Sequence, residues 1–229
     1  MLPIFFNCPC GHKVSGDNFS EIESRIFHDC IIEREQMIQY IGLDGEMSSA
    51  DINSGGKLIQ IGLAKFDENG EMVSTSELLN PGTMDWQEEA YNVHQIEQWE
   101  VETLGKAPSE VDPGLADWVT TSKSRRDVVA VGFNVGAFDF PFLSQTLPIL
   151  KSRLSRRSVD LNSIIFALAD NDHEVQRIKS ASKAYAHEMM EGLFEGRRNR
   201  EHDAEFDAIM SLYCFEYLRH LLNKSMNNL

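Results

Sequence analysis

The sequence predicts an α/β protein in which a mixed five-stranded sheet is flanked by helices. Three β-type segments occur in succession, and the turn signal Asp67-Glu68-Asn69-Gly70 joins the second and third as a hairpin. From residue 127 onward, short apolar strands alternate with helical stretches, a pattern typical of parallel strands. Of the 229 residues, 42% are hydrophobic and 25% are charged, as in an ordinary globular protein.

The predicted elements follow one another from residue 39. Residues 40–43 form an apolar run typical of a buried strand, and Asn80-Pro81-Gly82 breaks the chain after the third strand. Residues 127–133 are apolar after Asp127 and form a segment short enough to be another fully buried strand. The remaining strands are predicted at 57–66, 71–79 and 158–161, and helices at 85–91, at 109–121, from about 138, after 161, over 171–192 and from about 203.

Residues 1–37 differ from the rest of the chain, so we expect a small N-terminal segment followed by the α/β domain over residues 38–229. The segment is predicted to contain a polar turn at residues 15–18 and a helix-like stretch at residues 20–30. A segment of this length buries little core and needs another source of stability.

Thiol and imidazole side chains crowd this segment. Cys8, Cys10, His28 and Cys30 are the first-choice ligands of a structural Zn²⁺, with His12 as a competing ligand. Their spacings are tighter than those of most zinc sites. The alternative to a zinc site is a small metal-free segment in which the cysteines are reduced and buried.

Charge is distributed unevenly along the chain. The net charge of −15 argues against general non-specific binding to DNA. Residues 1–122 hold 22 acids and 6 bases, whereas residues 123–229 hold 14 acids and 15 bases, including basic clusters at 151–157 and 197–200. Because salt screens charges beyond about 8–10 Å, a phosphate-bearing partner can contact the second half. The alternative is that these clusters are solvated loop charges.

The sequence gives no sign of a membrane-spanning or exported protein. No apolar run approaches the ~18 residues needed to span a bilayer, and the first residues lack a basic region before a long apolar stretch. We therefore expect a cytoplasmic protein without membrane contact.

Acidic residues occur at three places where a predicted strand or helix begins or ends. Asp44 and Glu46 follow the first strand of the α/β domain, and period-2 alternation places them on one face. Asp139 lies at a helix start, and His202 and Asp207 flank the start of the last helix. Four converging carboxylates would repel one another unless divalent cations neutralised them, and oxygen ligands without Cys select Mg²⁺ or Mn²⁺.

Together these residues resemble a known set of motifs. Asp44-x-Glu46, Asp139 and His202-x4-Asp207 resemble the three motifs of the DEDD exonuclease superfamily in its histidine branch, the DEDDh or DnaQ-like enzymes, which have the RNase H-like fold. The resemblance covers about residues 39–221. Leu78-Leu79-Asn80-Pro81-Gly82 with Val93-His94-Gln95-Ile96, and Val159-Asp160-Leu161, are similar to secondary signatures of that family.

The resemblance implies a 3′–5′ exonuclease that releases nucleoside monophosphates by two-metal-ion hydrolysis. One Mg²⁺ or Mn²⁺ would be held by Asp44, Glu46 and Asp207, and a second by Asp44 and Asp139. His202 would accept the proton of the attacking water. The substrate would be a nucleic-acid 3′ end, with single-stranded DNA favoured and RNA as the other candidate.

Four further residues are predicted to contact the substrate. Met47 follows Glu46 where DnaQ-like enzymes usually have Thr, and Asn134 lies five residues before Asp139 where the pattern usually has four. His94 and Phe138 can stack against terminal bases, although packing in the core is an equally good interpretation of Phe138.

Other functions stay open at this point. One is an exoribonuclease of the same fold, and another is a proofreading-type subunit of a polymerase or complex that docks a protein partner through residues 1–37. A third is a catalytically silent module that binds single strands, although binding alone needs no acidic pocket.

Overall fold

The computed structural model describes residues 4–7, 13–16, 38–119, 127–193 and 202–227. Its strands are β1 (Ile4–Asn7), β2 (Lys13–Gly16), β3 (Gln39–Met47), β4 (Leu58–Phe66), β5 (Met72–Leu78), β6 (Val128–Gly132) and β7 (Ser158–Asp160). Its α-helices are α1 (Glu88–His94), α2 (Gln98–Leu104), α3 (Pro108–Val119), α4 (Asp139–Thr146), α5 (Pro148–Arg153), α6 (Leu161–Leu168), α7 (Asp172–Met189) and α8 (Ala204–Asn227).

Strands β3 to β7 form one mixed sheet in the order β5-β4-β3-β6-β7. The hairpin neighbours β3, β4 and β5 pair antiparallel, whereas β6 and β7 join the other side of β3 as parallel strands. β3 therefore lies at the centre of the sheet, with its carboxyl end beyond the last residue that pairs with β6. The predicted five-stranded α/β architecture is confirmed.

Helices cover both faces of this sheet. Ile41 and Leu43 of β3 belong to a core that also contains residues of α3, α4 and α5. Val131 of β6 belongs to a second core, formed with α6, α7 and α8. β6 is buried along its whole length, as expected for a parallel strand covered on both faces. Burial of each large apolar side chain stabilises the fold by ~1.5–3 kcal/mol.

Three elements differ from the prediction. β3 extends through Met47, four residues beyond the apolar run that predicted it, because its polar end still pairs with β4. Helix α2 was not predicted, and its start is held by a reciprocal capping box between Glu97 and Glu100. Helix α5 was not predicted either, and its first N–H groups bind a side chain distant in sequence, the carboxylate of Asp112.

The N-terminal segment contains an antiparallel hairpin of β1 and β2. Ser15 and Gly16 pair with Phe5 and Ile4, so the predicted polar turn at residues 15–18 is wrong for its first two positions. The predicted helix-like stretch at residues 20–30 lies outside the described residues. The division of the chain at residue 37 stays a prediction.

Among the residues that the structure describes, no helix combines the length and apolar character needed to cross a membrane.

Candidate active site

The end of β3 places two acidic side chains on one face of the sheet. Asp44 lies opposite Gly62 of β4, and Glu46 lies opposite Gln60. Directly opposed residues of an antiparallel pair point to the same side, so these four residues share the face that α8 covers. Asp44 and Glu46 therefore lie on one face of β3, as the alternation of side chains along a strand predicts.

Two glycines allow α8 to lie directly on this face. A Cβ atom on Gly62 would overlap the carbonyl of Ala204, and one on Gly42 would overlap the carbonyl of Ala208. Ala204 and Ala208 are one helical turn apart, so the first turn of α8 contacts β4 and β3 through its backbone. This close contact brings Asp207, which lies between them, to the end of β3.

Asp44, Glu46 and Asp207 form a compact acidic cluster. One carboxylate oxygen from each lies within 4.8 Å of the other two. Glu46 is buried, and the other two residues are partly exposed. Three hard oxygen ligands in this arrangement could hold a divalent metal ion.

Asp139 adds a fourth carboxylate beside this cluster. It is the first residue of α4 and is buried. A Cβ on Gly45, between Asp44 and Glu46, would lie 3.3 Å from its Oδ1 atom. The backbone N–H groups of Asp139 and Gly45 lower the pKa of this carboxylate, which places it beside the end of β3.

Burial and mutual repulsion both disfavour the ionised forms of these carboxylates. Burial raises the pKa of Asp44 well above its usual value, and the charges of Glu46, Asp139, Asp207 and Asp203 raise it further. Burial and the same neighbouring aspartates raise the pKa of Glu46 to about 9. Burial also raises the pKa of Asp139 to about 7, against the opposing effect of the nearby backbone N–H groups. A bound divalent cation would offset both the burial and the repulsion.

His202 lies immediately before α8 and beside Asp207. Its backbone N–H donates to Asp207 Oδ2 over 3.1 Å, and its Nδ1 lies 3.9 Å from the same oxygen. Its side chain is 52% exposed, so the imidazole can contact solvent and substrate. The backbone of His202 is left-handed, with φ of 69°, a conformation that costs about 1–3 kcal/mol outside glycine.

His94, at the end of α1, is only 3% exposed. Its Nδ1 accepts a hydrogen bond from the Ile96 N–H over 2.9 Å, which assigns the remaining proton to Nε2. Burial lowers the pKa of His94 to about 4; the Met47 backbone opposes this shift, and the charge of His202 adds to it. Among the described residues, Nε2 has no partner with hydrogen-bond geometry. His94 is thus a neutral, buried ring near the exposed His202.

Phe138 and Met47 differ sharply in exposure. Phe138, just before Asp139, is 41% exposed, so its ring can contact a substrate. Met47 is 4% exposed and belongs to the apolar core on the face opposite Glu46. Its side chain presents no surface, so a contact between Met47 and substrate would involve its backbone.

Asn134 takes part in a network that shapes the loop before Asp139. Its backbone N–H donates to Asp160 Oδ1 over 3.1 Å, and its side-chain Oδ1 accepts from Asn162 Nδ2 over 3.1 Å. Its φ of 59° is again left-handed, and its carbonyl accepts from the N–H groups of Ala137 and Phe138. These bonds use its main chain and side-chain oxygen to build the loop, and substrate binding by Asn134 stays a prediction.

The predicted zinc ligands Cys8, Cys10, His28 and Cys30, and the competitor His12, lie outside the described residues. The Zn²⁺ site therefore stays a prediction.

Sequence reasoning missed the residues that hold α8 against the sheet. Gln60 of β4 contacts Asp203 and Ala204 at the start of the helix, and Gly62 provides the space for the helix backbone. A signal was available, because glycine inside a strand often marks the close approach of another backbone. The Gln60 contacts span more than 140 residues and have no local sequence signal.

The order of the strands, with acidic residues at the end of the central one, defines an RNase H-like α/β fold. Solved structures with this fold are similar to the chain at 14% sequence identity. Escherichia coli Exonuclease I in complex with a dT13 oligonucleotide gives a TM-score of 0.55, over 82% of this chain and 43% of that one. Exonuclease I from Methylocaldum szegediense gives 0.57, over 80% and 40%. Exonuclease X in complex with 5′ overhanging duplex DNA gives 0.52, over 80% and 92%.

The chain spans about 40% of the length of the Exonuclease I chains that it matches. No protein-family model and no curated protein matches the sequence. The likeness at this identity establishes the fold.

Proposed function

We propose that this chain is a metal-dependent 3′–5′ exonuclease that releases nucleoside monophosphates, with single-stranded DNA as the favoured substrate. The observation that carries the proposal is the cluster of Asp44, Glu46 and Asp207, with Asp139 beside it and His202 at its edge. The fold neighbours support it, since Exonuclease I was crystallised with oligonucleotides and Exonuclease X with overhanging duplex DNA.

The residues present fit the divalent ions that this chemistry needs. Asp44, Glu46 and Asp207 would hold one Mg²⁺ or Mn²⁺, and Asp44 and Asp139 would hold a second. The raised pKa values of Asp44 and Glu46 fit this assignment, because a cation would supply the charge that their burial leaves uncompensated. When bound, such ions lower the pKa of a coordinated water and stabilise negative charge on the leaving oxygen.

His202 would remove the proton from the attacking water. It is the exposed imidazole next to Asp207, and imidazole exchanges protons near neutral pH. The hydrogen bond from its backbone to Asp207 keeps the ring near the carboxylates while leaving its side chain free to turn. A general base at the rim can thus reach a water within the site.

The same carboxylates favour catalysis over simple strand binding. Without a cation, clustered acidic groups repel a phosphate backbone, so a module that only holds nucleic acid gains nothing from them. Exposed Phe138 next to Asp139 would stack on a base at the 3′ end. The neutral ring of His94 would add no charge there.

The proposal is tested with 5′-labelled single-stranded DNA, single-stranded RNA and blunt duplex, each incubated with Mg²⁺ or Mn²⁺. A circular single strand and an oligonucleotide blocked at its 3′ end are the controls. We expect the linear strands to shorten from the 3′ end with release of nucleoside monophosphate, and both controls to stay intact.

Cleavage of the circle, or no hydrolysis of any substrate, would contradict the proposal. Faster degradation of RNA than of DNA would assign the chain to the exoribonuclease alternative.

A further inference from the structure

The side chain of Gln60 links β4 to the start of α8. Its Oε1 accepts a hydrogen bond from the backbone N–H of Ala204 over 3.2 Å. Its Nε2 donates to Asp203 Oδ2 over 3.3 Å and lies 3.5 Å from Ser76 Oγ. One amide therefore binds both the backbone and a side chain at the helix start.

Both contacts act on groups that fix the direction of the helix. The Ala204 N–H belongs to the first turn, where helix donors have no partner within the helix. Asp203 Oδ1 accepts from the Glu205 N–H over 3.1 Å and lies 3.4 Å from the Phe206 nitrogen, as an N-cap residue does. The second oxygen of this cap is the one that Gln60 holds.

Gln60 lies next to the acidic cluster as well as at the start of α8. Gln60 lies opposite Glu46 on the face that α8 covers. Asp203 directly follows His202, and Asp207 donates its N–H to the Asp203 carbonyl over 3.0 Å. A shift of Asp203 would therefore move both His202 and Asp207 relative to Glu46.

We propose that Gln60 is a positioning residue of the active site. By binding Asp203 and Ala204, it holds the first turn of α8 at the distance from β3 at which Asp207 and His202 act together with Asp44 and Glu46. This inference rests on the proposed exonuclease function.

The test exchanges donor and acceptor across the link. Gln60→Glu keeps an oxygen for the Ala204 N–H but places a carboxylate against Asp203. The double variant Gln60→Glu/Asp203→Asn restores one donor and one acceptor, and Asn is as good an N-cap as Asp. Ser74→Ala is the matched control, because Ser74 Oγ donates to Glu205 Oε1 over 2.6 Å and thus joins the neighbouring strand to the same helix turn.

For Gln60→Glu we expect kcat to fall by ~10²-fold, because a small misplacement of catalytic groups is enough to cause a loss of this size. The Mg²⁺ concentration for half-maximal rate should rise, while KM for the oligonucleotide changes little. The double variant should recover most of kcat, and Ser74→Ala should keep kcat even if its Tm falls.

A double variant as inactive as Gln60→Glu would overturn the inference, as would losses of kcat that simply follow the loss of Tm in all three variants. The rise in Tm on adding Mn²⁺ is a readout independent of hydrolysis. It should shrink in Gln60→Glu and return in the double variant. If the parent protein hydrolyses nothing, the proposed function fails. The rise in Tm on adding Mn²⁺ then tests the positioning role of Gln60 by itself. An equal rise in Tm in all variants contradicts that role.

Discussion

The backbone N–H of His202 donates to the carboxylate of Asp207, so the exposed imidazole and one of the clustered acids are held as a unit. The two residues are five positions apart, and on an ideal helix they would point in different directions. The left-handed backbone of His202, outside α8, brings them together. The spacing of this pair reflects a helix start and not a helix face.

Replacing His202 by Asn tests the role of its side chain while its backbone N–H is kept. We expect His202→Asn to lower the rate of hydrolysis by ~10²–10⁴-fold, because a general base is lost, with little change in the Mg²⁺ requirement. Asn tolerates the left-handed conformation and keeps the N–H that binds Asp207. The parent rate should rise through the pH range in which imidazole loses its proton, and this rise should be absent in the variant. A near-parental rate with an unaltered pH profile would assign His202 a purely structural role.

Neutralising one carboxylate should stabilise the metal-free protein. Asp44→Asn removes a carboxyl group whose ionised form is disfavoured by burial and by the charges of Glu46, Asp139 and Asp207. In EDTA we expect its Tm to exceed that of the parent, at ~2–4 °C per kcal/mol of added stability. Asp117→Asn, an exposed acid on α3, is the control and should leave Tm unchanged. A lower Tm for Asp44→Asn in EDTA would argue against repulsion in the cluster.

The stability of the metal-free protein should fall as the pH rises. The folded pKa values of Glu46 (about 9) and Asp139 (about 7) lie above the ~4 of an unfolded carboxyl group. The folded protein thus keeps protons that the unfolded chain releases, so this contribution is fully present below pH ~4 and is lost up to about pH 9. Urea unfolding at several pH values in EDTA measures how the free energy of unfolding depends on pH. Saturating Mg²⁺ should weaken this dependence. A stability that rises with pH across this window in EDTA would contradict the assignment.

The close contact between α8 and β4 predicts a large effect at Gly62. Gly62→Ala would force the Ala204 carbonyl away and should destabilise the protein by about 1–3 kcal/mol, with loss of activity as Asp207 moves. Gly114→Ala on α3 is the matched control, since its Cβ meets nothing within 4 Å and Ala is ~1 kcal/mol better in a helix. Thermal unfolding of both variants makes the comparison. Equal effects would show that α8 can move without cost.

The N-terminal segment carries its own prediction. If Cys8, Cys10, His28 and Cys30 bind Zn²⁺, elemental analysis should find about one zinc per chain, and the double variant Cys8→Ser/Cys10→Ser should lose it. Thiolates prefer Zn²⁺ and carboxylates prefer Mg²⁺ or Mn²⁺, so the variant should still cleave short oligonucleotides. Absence of zinc from protein purified without chelator would favour the alternative of a metal-free segment with reduced, buried cysteines.

Local patterns were sufficient to predict the sheet and the positions of its acidic residues. The buried runs of β3 and β6 and the hairpin of β4 and β5 are signals within one element. Helix α5 has no such signal, because its first N–H groups bind Asp112, more than thirty residues earlier. For the same reason, the link from Asn134 to Asp160 and the link from Gln60 to Asp203 could not be predicted, since they form only when distant elements pack together.

The burial of Met47 limits its predicted substrate contact to the backbone. Its place after Glu46 predicts a substrate contact, and alternation along β3 turns its side chain into the core, so a contact through the backbone stays a prediction. The period that places Asp44 and Glu46 together also removes Met47 from that face.

The central claim is that the carboxylates at the end of β3 hold divalent ions for hydrolysis at a 3′ end. The most direct measurement is the rate of nucleoside monophosphate release from a single strand whose 3′-terminal nucleotide is labelled, by the parent protein and by Asp44→Asn, each with Mg²⁺ and with EDTA. We expect release only by the parent with Mg²⁺, while both proteins stay folded by circular dichroism. Release by the parent in EDTA, or by Asp44→Asn at a rate close to that of the parent, would contradict the claim.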